Sequence, residues 1–273
     1  MSPTKLNPIA VVTGASSGIG AVYADRLAAR GYDLVLVARR IDRLQDLARR
    51  LSAAHGVSVE AIQADLTSET GLVQIEERLR SDERVVLLVN NAGNGRLSST
   101  LNMSDADSLA TIALNVVAPT RLCRAVLPAF LKRDAGAIVN IASVMALRSL
   151  PITTLYSASK SYLLTFSRGL QGEVAGTGVR IQTVLPAGTA TEFYDHAGIP
   201  LSAFDPAVVM TTENLVDAAL AGFDQGETIT LPSVHDADLW PAYEQAEATL
   251  FGATQVGIPA PRYAIESKRL LRS

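Results

Sequence analysis

The sequence has little of what metal-binding or disulfide-stabilised proteins require. Its 273 residues include one cysteine, Cys123, and three histidines. A single cysteine cannot form an internal disulfide or supply a thiolate cluster, so we expect Cys123 to be a small buried apolar side chain. The histidines, His55, His196 and His235, lack the spacing of a metal site, and no metal is expected.

A basic block and long apolar runs are also missing. Lys and Arg number 24 against 27 Asp and Glu, a net charge of −3, which argues against a nucleic-acid partner. No apolar run approaches the ~20 residues of a membrane-spanning helix. The first eight residues lack the apolar core of a secretory signal. We therefore expect a cytoplasmic protein without a membrane partner.

The chain instead alternates short apolar runs with longer segments of helical period. The runs are rich in Val, Ile and Leu with little polar alternation, as expected of strands covered on both faces. This alternation predicts parallel βαβ units in one Rossmann-type, doubly wound α/β domain over residues 1–273. The predicted strands cover 9–12, 33–37, 57–62, 85–89, 137–141, 179–185 and 228–231. The predicted helices cover 18–30, 41–54, 69–80, 104–132, 154–175 and 212–223.

Two segments fall outside this alternation. Residues 189–210 form a long connection, which we predict to be a substrate loop because long loops in compact domains often bind ligands. Residues 233–273 form an extension in which Leu239, Tyr243 and Leu250 share one helical face. We expect this extension to pack on the domain or on a second subunit.

A glycine-rich turn, TGASSGIG, joins the first predicted strand to the first helix. Gly14 permits a tight turn, Gly18 a close backbone approach, and Gly20 close packing of the helix on the sheet. The helix N-terminus offers free N–H groups to a pyrophosphate. The spacing is G-x-x-x-G-x-G, and its position at the first βα junction indicates a dinucleotide site.

The same residues also match the G-x-S-x-G motif of a hydrolase. In that alternative Ser16 is the nucleophile and His196 or His235 its base. The hydrolase motif follows several strands, whereas only thirteen residues precede Gly14, so this alternative is disfavoured.

Two arginines follow the second predicted strand, where an acidic residue would bind the ribose of NAD. Arg39 and Arg40 instead suit the 2′-phosphate of NADP(H), because a guanidinium offers charge and a planar set of donors. The alternative is that they and Arg43 form a solvated helix start. Asp33 precedes the strand and cannot reach the ribose.

Tyr156 and Lys160 are four residues apart on a predicted helix and therefore face the same way. An ammonium beside a tyrosine is expected to lower its pKa from ~10 towards neutrality, where it can exchange protons. Ser143 follows a predicted strand at the carboxyl edge of the sheet, where ligands bind in such folds. Together they supply a proton donor and a hydrogen bond for a carbonyl oxygen.

These motifs occur in one order: TGASSGIG, Asn90–Gly93, Asn115, Ser143 and YSASK. In that order the sequence, from about Pro8 to Thr191, resembles the short-chain dehydrogenase/reductase family. The resemblance implies a seven-stranded parallel sheet of order 3-2-1-4-5-6-7. It also implies a homodimer or homotetramer joined through helices 104–132 and 154–175.

The resemblance further implies roles for individual residues. Asp65 would bind the adenine ring, and Asn115 would hold a water in a proton relay with Lys160. Tyr156 would be the general acid in reduction and the base in oxidation, and Lys160 would also bind the nicotinamide ribose. The implied cofactor-binding residues are Gly14, Ser16, Ser17, Gly18, Ile19, Gly20, Arg39, Arg40, Asp65, Leu66, Asn91, Ala92, Gly93, Tyr156, Lys160, Pro186, Gly188, Thr189 and Thr191.

The segment after the sixth predicted strand departs from the family pattern. It reads PAGTAT from Pro186 to Thr191, with Ala187 in place of the usual glycine. Thr189 stands where Val or Ile is common. Either Thr189 or Thr191 is expected to meet the cofactor.

The sequence thus predicts an NADP(H)-dependent oxidoreductase that interconverts a carbonyl and an alcohol. The alternative is a non-catalytic NADP(H)-binding sensor, against which Ser143 argues because binding alone does not require it. A hydrophobic ketone, aldehyde or secondary alcohol would suit the expected pocket wall. Its residues are Val144, Met145, Leu147, Leu150, Phe193 and Tyr194.

Overall fold

The fold is described from a computed structural model, in which residues 6–263, apart from the His196 side chain, are described. Its centre is a parallel sheet of seven strands in the order β3-β2-β1-β4-β5-β6-β7, as the resemblance implied. The strands are β1 Ile9–Thr13, β2 Asp33–Ala38, β3 Val59–Gln63, β4 Val85–Asn90, β5 Gly136–Ile141, β6 Val179–Val184 and β7 Ile229–Thr230.

Helices cover both faces of the sheet. Along β1, Ala10 and Val12 join the core beneath one helical layer, whereas Ile9 and Val11 join the core beneath the other. Because alternate side chains enter opposite layers, all five residues of this strand are buried. The first four are apolar, and the last, Thr13, is polar. The helices are α1 Gly18–Ala29, α2 Ile41–His55, α3 Glu69–Ser81, α4 Asp105–Ile112, α5 Ala118–Lys132, α6 Thr154–Glu173, α7 Phe193–Ala197, α8 Thr212–Gln225 and α9 Leu239–Ala253.

The helix predicted over 104–132 is interrupted. A π-helical turn, Ala113–Val117, separates α4 from α5 and contains the fully buried Asn115. The wider turn changes the angle at which side chains leave the helix, which is why such turns occur often at functional sites. The periodicity of the sequence did not reveal this turn.

The stretch Asp105–Lys132 bears on the expectation that no segment is apolar enough to span a membrane. By length and composition it could cross a membrane, because its most apolar part has a mean hydropathy of 1.3. About half of that part, 44%, is buried inside the protein, and the core helix of a soluble protein passes the same test. The stretch is therefore weak support for a membrane span.

The chain divides into two compact units, one ending at Ser233 and the other beginning at Val234. The extent of the doubly wound domain over residues 1–273 stays a prediction. The second unit contains α9, in which Trp240 and Tyr243 stack with ring centroids 5.3 Å apart. Packing of this extension on the domain or on another subunit stays a prediction, and residues 264–273 lie outside the described residues.

The segment predicted as a substrate loop, residues 189–210, is folded rather than extended. It contains α7 and two short 3-10 helices, Leu201–Ala203 and Pro206–Val208. Its base is closed by two backbone hydrogen bonds, from Met210 to Gly188 at 2.8 Å and from Ala190 to Met210 at 2.9 Å. The end of α7 is tied down as well, because the Leu97 amide donates to the Ala197 carbonyl at 2.7 Å. We call residues 189–210 the substrate loop below.

Candidate active site

The glycine turn after β1 has the conformation that its sequence predicts. Gly14 and Gly18 have φ angles of +67° and +54°, which side-chain-bearing residues rarely adopt. A Cβ at Gly14 would lie 2.8 Å from the Cα of Ala92. The turn therefore packs directly on the chain that follows β4, and its glycines are sterically required.

A polar network that sequence reasoning missed holds the two segments together. The buried Thr13 hydroxyl accepts hydrogen bonds from the amides of Asn91 and Ala92, both at 3.0 Å, and donates to the Val89 carbonyl at 3.2 Å. The Asn91 side chain donates to the carbonyls of Thr13 and Gly14. The sequence feature that could have indicated this network is Thr13, a polar residue at the end of the otherwise apolar β1.

The arginine that reaches the glycine turn is Arg40. Its guanidinium donates to the Ser16 hydroxyl at 3.0 Å and 3.2 Å and to the Ser17 hydroxyl at 2.7 Å. The neighbouring Arg39 side chain is exposed. Both were predicted to bind a 2′-phosphate, but only Arg40 directly joins the end of β2 to the start of α1.

Asp65 and Leu66 lie in the connection between β3 and α3. The Asp65 carboxylate accepts from the amide and hydroxyl of Thr67, at 2.9 Å and 2.7 Å. Partial burial raises the pKa of Asp65, but these hydrogen bonds and the charge of Arg39 outweigh it and lower the pKa overall. Leu66 is buried. The adenine-binding role of Asp65 stays a prediction, and its observed role is to organise the turn before α3.

The surroundings of Ser16, the nucleophile of the hydrolase alternative, do not support that alternative. The half-buried His55 lies 3.0 Å from the Asp25 carboxylate. His235 belongs to the second unit, and the His196 side chain lies outside the described atoms. The Ser16 hydroxyl accepts a hydrogen bond from the Arg40 guanidinium. A partner of this kind suits a residue that binds a phosphate better than it suits a nucleophile. Within residues 6–263, no group of three or more His, Cys, Asp or Glu is placed to hold a metal ion.

Ser143 and Tyr156 meet at the carboxyl edge of the sheet. Ser143 follows β5 and starts a 3-10 helix, Val144–Ala146, whose Met145 amide donates to its hydroxyl at 3.1 Å. The first turn of α6 brings Tyr156 to the same place, close enough for the Ser143 side chain to act on the pKa of the tyrosine. The two groups predicted to act on a carbonyl oxygen are therefore adjacent.

The pKa values at this site differ from expectation. Burial raises the pKa of Tyr156 to about 12, although the hydrogen bond from Ser143 opposes the shift. Burial also lowers the pKa of Lys160 to about 8. The Lys160 Nζ donates to the Ile141 carbonyl at 2.9 Å and lies 5.8 Å from the centroid of the Tyr156 ring. The prediction that Lys160 lowers the pKa of Tyr156 is thus wrong for this structure, because desolvation dominates. Tyr156 is protonated at neutral pH.

Asn115 connects the π-helical turn to the chain after β4. Its side-chain oxygen accepts from the Asn94 amide at 3.0 Å, and its nitrogen donates to the Asn94 carbonyl at 2.7 Å and to Ser159 at 3.0 Å. A Cβ at Gly93 would lie 3.3 Å from the Lys160 Nζ and 3.4 Å from the Asn115 oxygen. Asn115 and Lys160 therefore face the same small space beside Gly93. A water held there stays a prediction.

An aromatic cluster lies beside Tyr156. The Phe193 ring lies 5.5 Å from Tyr156, Tyr194 lies 5.5 Å from Phe193, and Phe204 lies 5.0 Å from Tyr194, between ring centroids. The substrate loop thus brings Phe193 and Tyr194 to the site, as predicted, and adds Phe204, which sequence reasoning missed. Gly95, also missed, lies against the Tyr156 ring.

The other predicted wall residues follow Ser143 along the chain. Val144, Met145 and Leu147 are half-buried, whereas Leu150 is 43% exposed. Their contact with a substrate stays a prediction.

The two threonines of the PAGTAT segment have different surroundings. The buried Thr189 hydroxyl donates to the Ala187 carbonyl at 3.0 Å. Thr191 faces the glycine turn, because a Cβ at Gly18 would lie 3.2 Å from its methyl group. The Pro186 carbonyl accepts from the Val144 amide, which joins the segment to the Ser143 turn. Of the two, Thr191 is positioned towards the predicted phosphate site.

Glu192, which sequence reasoning did not single out, pairs with Arg40, just before α2, and with Arg43 in the first turn of α2. Its two carboxylate oxygens accept from Arg40 at 2.7 Å and from Arg43 at 2.6 Å. Hydrogen bonds from both guanidiniums lower the pKa of Glu192 to about 2. The partners are about 150 residues away in sequence, so no local pattern indicates this pairing.

The fold agrees with comparisons to known proteins. The sequence model described as short chain dehydrogenase matches residues 8–198. A short-chain dehydrogenase from Sphingobium yanoikuyae in complex with NADPH has a TM-score of 0.90 and 44% identity, covering 93% of this chain and 98% of that one. The bulky-bulky ketone specific alcohol dehydrogenase from Comamonas testosteroni has a TM-score of 0.87 and 40% identity, covering 95% and 99%.

The match covers a smaller share of the curated relatives than of these two solved structures. Very-long-chain 3-oxoacyl-CoA reductase-B of Danio rerio is 37% identical over 190 residues, which are 68% of this chain and 61% of that protein. The 17-beta-hydroxysteroid dehydrogenase type 3 of Danio rerio is 33% identical over 229 residues, or 82% and 72%.

Proposed function

This chain belongs to the short-chain dehydrogenase family, and on that premise we propose that it is an NADP(H)-dependent oxidoreductase that interconverts a bulky hydrophobic ketone and its alcohol. The observation that carries the proposal is the meeting of Ser143, Tyr156 and Lys160 beside an aromatic cluster, at the edge of the sheet where the glycine turn also lies.

The residues of the glycine turn fit a dinucleotide. The positive φ angles of Gly14 and Gly18 turn the chain from β1 into the N-terminus of α1, where backbone N–H groups suit a phosphate. Arg40 adds a positive charge and a planar set of donors beside Ser16 and Ser17. This cation supports a 2′-phosphate, and therefore NADP(H), over NAD(H).

The three catalytic side chains divide the work on the oxygen of the substrate. A bound nicotinamide supplies the hydride for the carbonyl carbon, or accepts it in oxidation. Tyr156, protonated at neutral pH, gives its proton to the carbonyl oxygen, and Ser143 donates a hydrogen bond that orients that oxygen. Lys160, whose pKa is about 8, is suited to exchanging protons near neutral pH and so to restoring the proton of Tyr156.

The aromatic cluster supports a bulky, uncharged substrate. Phe193, Tyr194 and Phe204 present rings, which bury much apolar area and hold an apolar ligand by stacking and edge contacts. The Comamonas testosteroni relative is described as specific for bulky-bulky ketones. A ketone with two large substituents is accordingly our proposed substrate class.

We propose in addition that the protein is a cytoplasmic homodimer or homotetramer. A subunit contact through the stretch 105–132 and α6 is supported by apolar residues that are exposed there. They are Leu109, Ile112, Val117 and Tyr162.

The test is to follow NADPH and NADH absorbance with a panel of ketones and aldehydes of increasing bulk, using Tyr156→Phe as the control. We expect NADPH oxidation that favours bulky ketones and falls by about 10²- to 10⁴-fold in the variant. Preference for NADH would overturn the assignment of the 2′-phosphate site but not the chemistry. Tight NADPH binding without turnover on any ketone would favour the sensor alternative.

A further inference from the structure

We infer that Glu192 is a specificity-determining residue that competes with a 2′-phosphate for Arg40 and Arg43 and thereby couples cofactor binding to the substrate loop. The inference rests on the proposed function, because it assumes that these arginines take the phosphate of NADP(H).

The contacts place one carboxylate across two guanidiniums. Arg40 uses its Nε and one Nη for Ser16 and Ser17, and its other Nη for Glu192 at 2.7 Å. Arg43 gives an Nη to the second oxygen of Glu192 at 2.6 Å. Every guanidinium nitrogen of Arg40 is therefore engaged, and a phosphate that takes Arg40 must replace or crowd one of these partners.

Glu192 is the partner that a phosphate would displace. Ser16 and Ser17 are neutral hydroxyls, whereas Glu192 is anionic over the whole working range because its pKa is about 2. Two anions on the same guanidiniums repel each other. The ion pair is also exchangeable, since the Arg40, Arg43 and Glu192 side chains are 40%, 49% and 39% exposed.

Displacement of Glu192 would act on the substrate loop through the chain itself. Glu192 is the residue immediately before α7, whose first residue, Phe193, lies against the Tyr156 ring. The base of the loop is fixed by the hydrogen bonds of Gly188 and Ala190 with Met210. Movement of Glu192 is thus confined to the segment that carries Phe193 and Tyr194, and phosphate occupancy is felt at the catalytic tyrosine.

The first test measures the affinity of the full chain for NADPH and NADH in the wild type, Glu192→Gln and Asp195→Asn. Glu192→Gln keeps the size of the side chain but removes its charge, so NADPH should bind roughly 3- to 10-fold more tightly while NADH changes less than about two-fold. Asp195→Asn is the matched control, because it removes the same charge from an exposed position in α7. It should alter neither affinity beyond about two-fold.

The second test separates the phosphate from the nicotinamide. We would measure hydrogen–deuterium exchange of residues 191–204 with 2′,5′-ADP, which carries the 2′-phosphate but has no nicotinamide, and with 5′-ADP, which lacks that phosphate. In the wild type, 2′,5′-ADP should increase exchange in this segment and 5′-ADP should not. Glu192→Gln should show the increased exchange without ligand and no further response.

The outcomes distinguish this inference from the proposed function. Unchanged or weaker NADPH binding in Glu192→Gln, with NADPH turnover intact, would overturn the competition and leave the function standing. Equal exchange with both ADP ligands would overturn the coupling. Failure of every 2′-phosphate ligand to bind the wild type and the variant would overturn both the inference and the assignment of NADP(H).

Discussion

The ring of Tyr156 lies directly on the backbone of Gly95. A Cβ built on Gly95 would lie 3.0 Å from Cε2 and 3.1 Å from Cγ of this ring, closer than carbon atoms pack. The ring is also 5.5 Å from the ring of Phe193, between centroids. The position of the Tyr156 side chain therefore depends on the absence of a side chain at residue 95.

Gly95→Ala is therefore expected to displace the Tyr156 ring. Because misplacement of a catalytic group by about 1 Å can cost about 10²-fold, kcat should fall by about that factor while NADPH affinity is retained. Steady-state kinetics and nucleotide titration measure the two effects. Gly169→Ala in α6 is the control, since a Cβ there meets nothing within 4 Å and an alanine favours the helix. Full activity in Gly95→Ala would contradict this account of the site.

The buried amine of Lys160 should make stability depend on pH. Burial lowers its pKa from 10.5 to about 8, so between these values the unfolded chain carries a proton that the folded chain lacks. The free energy of unfolding should therefore rise with pH in this interval, by up to about 1.4 kcal/mol per pH unit from this group.

Lys160→Met removes this titration, and comparison with the wild type cancels the other groups. Urea unfolding of both proteins at about pH 8 and about pH 9.5 should show the wild type gaining stability relative to the variant. Parallel pH profiles would show that the amine is not buried in the folded protein.

Arg40 and Arg39 should differ in their effect on the cofactor. Arg40 donates to both serines of the glycine turn, whereas Arg39 is exposed. Charge-assisted hydrogen bonds are worth about 1.5–3 kcal/mol, so Arg40→Ala should weaken NADPH binding by roughly 10- to 100-fold with little effect on NADH. Arg39→Ala should have a smaller effect. Isothermal titration calorimetry with NADPH measures the affinity of both variants. A larger loss of affinity in Arg39→Ala than in Arg40→Ala would assign the 2′-phosphate to Arg39.

Two buried threonines should respond in opposite ways to replacement by valine. Thr13→Val leaves the amides of Asn91 and Ala92 without an acceptor and should cost about 2–4 kcal/mol. The buried Thr183 hydroxyl has no hydrogen-bond partner among the described residues, so Thr183→Val should be neutral or stabilising by about 1 kcal/mol. Urea unfolding measures both changes. Equal losses in the two variants would contradict the assignment of a hydrogen-bonding role to the Thr13 hydroxyl and of none to the Thr183 hydroxyl.

Much of the fold was predictable because its signals are local. Each apolar run became a strand, and central strands such as β1 and β4 are almost wholly apolar because helices bury both of their faces. The glycine turn was equally evident, because positive φ angles at Gly14 and Gly18 require glycine. The π-helical turn at Asn115 was not predicted, since it keeps the apolar period on both sides.

Parts of the site could not be predicted because they depend on long-range contacts. Glu192 meets Arg40 and Arg43 only after the substrate loop folds back on the start of α2. The pKa of Tyr156 is raised by burial, which outweighs the opposing effect of Ser143. Phe204 joins the aromatic cluster through two short helices that the sequence pattern does not indicate.

The sequence by itself determined the α/β architecture, the glycine turn and the identity of the residues that bear the chemistry, because backbone preference, apolar period and residue type are properties of short segments. The tertiary structure alone decided which of these residues touch, how far burial shifts their pKa values and which arginine reaches the turn. These depend on distances and desolvation, which arise only when segments remote in the chain pack together.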